Sequence, residues 1–152
     1  MSSPPNSRVD PTAAAALQNA LAAEHAAIWC YALAVAFLSG ADATRAREDE
    51  NAHRELRNQV EETLTQLGAP AVSAQPAYAT PRPVTDAASA AQLAVVAETD
   101  ALAAWRSVLE RSRDRALRQA ALDTLSAGTL RCARWRAATG QTPTIPVFPG
   151  QP

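Results

Sequence analysis

The chain has 152 residues, enough for one domain whose core needs no disulfides. Its formal charge is −1, with 14 arginines and no lysine, which excludes a Schiff-base lysine and a phosphate-loop lysine and gives no bulk attraction to nucleic acid or membrane. Alanine supplies 37 residues; as the best helix former, and one that lets helix axes approach, it predicts an all-α chain of closely packed helices.

Residues 1–9 are short and polar, with Pro4 and Pro5, and are predicted to be a disordered tail without signal-peptide features. Asp10 followed by Pro11 then reads as an N-cap with proline at the first helical position. The first helix is predicted to run to about residue 38, where Ser39 and Gly40 stop it. Its seam is Leu17, Leu21, Glu24, Ile28, Tyr31, Val35 and Leu38, spaced alternately four and three residues apart. Glu24 falls in the middle of that seam. An ionised carboxylate there needs a histidine, an arginine or a metal ion as partner. The neighbouring His25 lies one step off the seam and reads as a flanking, hydrogen-bonded residue. The apolar run at 26–38 is too short to span a membrane.

Asp42 restarts the chain as a second helix, predicted to end at Leu67 and Gly68. The turn between the two helices is so short that they must be antiparallel neighbours. Stepping back by heptads from Val60 and Leu64 places His53 and Glu50 on the inner face. Together they form Glu-x-x-His, the spacing at which a carboxylate and an imidazole share one helical face as metal ligands. Arg54 and Arg57 are the cations of this helix that could turn inward. The other charges on the helix read as a solvated face with i, i+4 pairs.

Residues 69–84 contain Pro70, Pro76, Pro81 and Pro83 and cannot be helical. Sixteen extended residues reach roughly 50 Å, and a helix as long as the second is about 40 Å, so this segment can run the full length of a bundle. Helices 2 and 3 are therefore predicted to be parallel, with Tyr78 and Val84 pinning the crossover. Thr85 and Asp86 cap the third helix, which runs to about Arg111 with the seam Val95, Glu98, Leu102, Trp105 and Leu109. The fourth starts near Asp114 and ends before Gly140, with the seam Ala121, Leu125, Gly128, Cys132 and Trp135. Gly128 in a helix interior costs about 1 kcal/mol relative to alanine, which predicts a close neighbour or a small cavity there. Arg131, Arg134 and Arg136 read as complements to the C-terminus of this helix, and the tryptophans as core and interface residues. The domain is thus read as 10–139, followed by an extended tail at 140–152. Cys30 and Cys132 form no CxxC and fit apolar fillers of a reduced, cytoplasmic protein, with a bridge between helices as the alternative.

Glu24 on helix 1, Glu50-x-x-His53 on helix 2, a bundle-length crossover and Glu98 on helix 3 resemble the ferritin-like superfamily. More narrowly, the chain resembles the actinobacterial ferritin-like family of unknown function. The residues that carry this are Glu24-His25 with Tyr31, His53-Arg54, the crossover ending Pro-x-Pro-Val-Thr-Asp, Trp135 and the closing Phe148-Pro149-Gly150. The resemblance implies a ferritin-like four-helix bundle with a long crossover between helices 2 and 3, and no established reaction. A di-iron centre would need a second Glu-x-x-His on helix 4. The matching positions are Thr124 and Ala127, beside Leu125 and Gly128, and none is a useful ligand.

Two functions follow. The first is a structural or regulatory protein, acting on a protein partner or as a homo-oligomer, with a polar interior drawn from Glu24, His25, Tyr31, Glu50, His53, Arg54, Arg57 and Glu98. The second is a single-metal oxidoreductase with iron or manganese held by Glu24, Glu50, His53 and Glu98, since three carboxylates and one imidazole favour those ions.

Overall fold

The structure, a computed structural model, describes residues 10–151; the tail expected at 1–9 lies outside them. Among the described residues there are four helices and no strand. They are α1 (Pro11–Val35), α2 (Gly40–Gln66), α3 (Ala87–Arg111) and α4 (Arg115–Ala138), and they pack as an all-α bundle.

Three of the four starts are set by an aspartate. The Asp10 side chain accepts the Thr12 N–H at 2.9 Å, that of Asp86 accepts the Ser89 N–H at 2.8 Å, and that of Asp114 accepts the Leu117 N–H at 2.8 Å. Helix α2 differs: Ser39 makes no side-chain cap, and Gly40, at a φ of 55°, opens the helix two residues before Asp42. Helix α1 correspondingly ends at Val35, earlier than its apolar run.

The crossover is bound to α1. The Gln18 amide donates to the Pro70 carbonyl and accepts the Val72 N–H, His25 Nε2 donates to the Val72 carbonyl, and Tyr78 lies 6.0 Å from Trp29 between ring centroids. The segment therefore climbs along α1 and delivers the start of α3 beside the end of α1. Two core clusters show the resulting directions. Leu17 and Leu21 of α1 pack with Val60 and Leu64 of α2, Trp105 and Val108 of α3, and Ala121 and Leu125 of α4. At the other end Tyr31, Ala46, Ala94 and Trp135 come together. So α3 is parallel to α2, and α4 returns parallel to α1.

Helix α1 buries mainly alanine: Ala13, Ala16, Ala20, Ala27 and Ala34 are buried with Leu17, Leu21, Glu24 and Tyr31, whereas Ile28 and Val35 are half-buried. Small side chains let the axes approach, so the buried stripe turns toward them and away from Ile28 and Val35.

Candidate functional site

Between the two apolar clusters lies a layer of charge. Glu24, His53 and Glu98 come from the middles of α1, α2 and α3, and each is 0 % exposed. His53 sits between the two carboxylates, with Nδ1 2.6 Å from Glu24 Oε2 and Nε2 3.0 Å from Glu98 Oε1. Both neighbours are acceptors, so a ring that hydrogen-bonds both carries two protons and a positive charge. Burial alone would depress its pKa, but the hydrogen bonds and charges of Glu24 and Glu98 outweigh it and hold the imidazolium up at about 9.

Each carboxylate has further donors. The Trp105 indole N–H donates to Glu24 Oε1 at 2.7 Å. The Tyr31 hydroxyl donates to Glu98 Oε1 at 2.7 Å, and Arg131 Nε–H reaches the same oxygen at 3.1 Å and Oε2 at 3.3 Å. Burial pushes the Glu98 carboxyl up, yet His53, Arg131 and Tyr31 more than offset this and keep it below its ordinary value. The Tyr31 hydroxyl is pushed well up, first by burial and then by the Glu98 charge. Its ring stacks on His53 at 5.5 Å. Two anions thus face two cations, and no polar side-chain atom of the described residues is buried without a partner.

A second buried acid continues the layer. Asp49 accepts the Trp135 indole N–H at 2.8 Å and lies 3.6 Å from Arg134. Burial raises its pKa against the opposing hydrogen bond. The Arg45 guanidinium covers the Trp135 ring at 5.6 Å from the centroid.

The remaining sequence-predicted residues lie elsewhere. Glu50 pairs with Arg54 across one turn of α2 at the surface, and Arg57 bonds to Asn58. His25 is buried under the crossover, 4.0 Å from the Glu61 carboxylate. The cation that faces inward is Arg131 of α4. Heptad counting placed Glu50 inside because it assumes 3.5 residues per turn; at 3.6 residues per turn Asp49 lies within about 20° of Val60 around the helix and Glu50 about 80° from it, so Asp49 takes the buried position. Sequence reasoning also missed Trp105 and Trp135 as donors, although a buried indole N–H has to find an acceptor.

A metal ion fits this arrangement poorly. Ligation by His53 needs a ring nitrogen with a free lone pair, and both nitrogens hydrogen-bond carboxylates. A cation bound by Glu98 would also face the Arg131 guanidinium. Among the described residues no three His, Cys, Asp or Glu side chains are grouped to hold a metal. His53 and its two carboxylates hold protons and charge out of water.

Comparison with known proteins agrees with this architecture. No curated protein matches the chain. A crystal structure of a conserved hypothetical protein from Mycobacterium tuberculosis matches it with a TM-score of 0.81 and 33 % identity, over 85 % of this chain and 98 % of that one. Residues 16–152 match the domain of unknown function DUF4439, and the chain accordingly belongs to that family.

Proposed function

We propose that the chain is a ferritin-like bundle whose interior holds a closed network of ion pairs in place of a metal centre, and that it works as a structural or regulatory protein through self-association or a protein partner. The observation that carries this is the engagement of both His53 nitrogens and all four oxygens of Glu24 and Glu98 by protein groups. The crossover that makes α2 and α3 parallel supports the ferritin-like assignment. Exposed apolar side chains suited to association are present on α4, at Leu122 and Leu130, and on the tail, at Ile145, Val147 and Phe148. A net charge of −1 disfavours nucleic acid as partner. No helix of the described residues is long and apolar enough to cross a membrane, and the free thiols of Cys30 and Cys132 suit a reducing, cytoplasmic setting.

Metal analysis of protein purified without chelators tests this. Well under one iron or manganese per chain is expected, with sedimentation showing a concentration-dependent oligomer. Stoichiometric metal that His53→Ala removes would overturn it in favour of the single-metal oxidoreductase built on Glu24, Glu50, His53 and Glu98.

A further inference from the structure

The seam between α2 and α4 is more open than a packed helix pair. A groove of about 240 Å³ runs along it, with Leu56 and Ala127 on its walls, Glu55, Gln59 and Asp123 beside them, and Arg131 contributing a cation. The Arg131 side chain is only 10 % exposed and is fixed through its Nε–H to Glu98. Its two terminal nitrogens have no acceptor among the described residues. They are not sealed from solvent either, because no buried polar side-chain atom there lacks a partner. Gly128 leaves room for the guanidinium: a Cβ at that position would lie 3.4 Å from Arg131 Nη2.

An arginine held by a buried carboxylate is a preorganised receptor, since its rotamer freedom is already lost and its remaining donors form a planar fork. The charges around the groove narrow the class of ligand. A simple anion would satisfy Arg131 but meet Glu55 and Asp123, and a simple cation would meet the guanidinium. A molecule carrying both charges complements both. The volume lies below the roughly 300–1,000 Å³ of sites for drug-sized ligands, which restricts it to a few heavy atoms.

We propose that the α2/α4 groove binds a small zwitterionic amino acid, with its carboxylate on the terminal nitrogens of Arg131 and its ammonium group toward Glu55 and Asp123. This rests on the ion-pair reading of the interior, because ionised Glu98 is what holds Arg131 in place. Metal analysis tests that reading separately.

The binding test uses the full chain, with glycine, β-alanine and 4-aminobutyrate as probes and butyrate and butylamine as singly charged controls, followed by NMR titration. At least one amino acid should saturate with a dissociation constant of about 1 mM or tighter, at least tenfold better than either control. Arg131→Gln risks the fold, so two surface variants carry the test. Ala127→Leu fills the groove from an exposed position and should abolish binding while the melting temperature stays at the wild-type value. Glu55→Gln combined with Asp123→Asn should weaken the amino acid at least tenfold and leave butyrate unweakened. The proposal is overturned if no amino acid saturates, if butyrate or butylamine binds as well as the best amino acid, if the Glu55→Gln and Asp123→Asn double variant holds the amino acid like wild type, or if Ala127→Leu binds like wild type.

Discussion

At the scale of the residue, the interior behaves as one ionisable unit whose sign can be worked out from the direction of each shift. His53 has a folded pKa of about 9 against an ordinary 6.5. Its contribution to stability is fully present below about 6.5 and is lost as pH rises through about 9. Glu98 lies below its ordinary value of 4.5, so its contribution is present above about 4.5 and is lost as pH falls through the lower folded value. The melting temperature is therefore expected to be highest between about pH 4.5 and 6.5 and to fall on the alkaline side toward pH 9, as calorimetry across that range would show. Glu24→Gln removes one charge and keeps the shape. By analogy with other broken buried pairs it should cost about 3 to 5 kcal/mol and flatten the alkaline fall. A variant that melts like wild type from pH 5 to 9 would show that Glu24 has no part in the network. Tyr31→Phe takes only one of the donors from Glu98. It should cost about 1.5 to 3 kcal/mol, the range for hydrogen bonds to charged groups, with denaturant unfolding as the readout.

At the scale of the element, what the sequence made legible depended on how strictly each helix keeps its period. Glu98, Leu102 and Trp105 of α3 and all five seam residues of α4 are buried, because both helices keep the three-and-four spacing along one face. In α2 the first half has no apolar residue larger than alanine, so little marks the inner face, and the true period of 3.6 residues per turn decides between Glu50 and Asp49. Arg131 was hidden for a related reason: it sits one position before the seam residue Cys132, and only a long side chain can turn in from there. Gly128 had a visible cost, and its neighbour proves to be Leu102, whose Cδ2 would lie 3.1 Å from an added Cβ. The tail offers a test at this scale. Gly150 has a φ of 78°, and a Cβ there would sit 2.6 Å from the Leu102 carbonyl oxygen. Gly150→Ala should therefore release the tail from α3, weakening the bond from Arg106 to the Pro149 carbonyl. Faster proteolytic cleavage after residue 140 with little change in global stability is expected. Cleavage at the wild-type rate would show that the tail is held elsewhere.

At the scale of the whole molecule, four helices meet around a layer in which each contributes a member: Glu24 from α1, His53 from α2, Glu98 from α3 and Arg131 from α4. Apolar clusters lie on both sides of that layer. Such an arrangement tolerates burial because the charges cancel and every buried polar side-chain atom of the described residues has a partner. It also defines register, since sliding any one helix by a turn would leave an unpaired charge in the core. The crossover was legible from its prolines and its length, and so was the parallel placement of α2 and α3. The closure of the layer was not, because it depends on a side chain from α4 that no spacing rule assigns. The whole layer depends on His53 being an imidazolium held between two carboxylates. Nitrogen NMR of the His53 ring tests it most directly. Nδ1 and Nε2 are both expected to carry protons at pH 7, with the ring titrating near pH 9. A ring with one bare nitrogen at pH 7, or one whose signals shift on addition of iron or manganese, would contradict it.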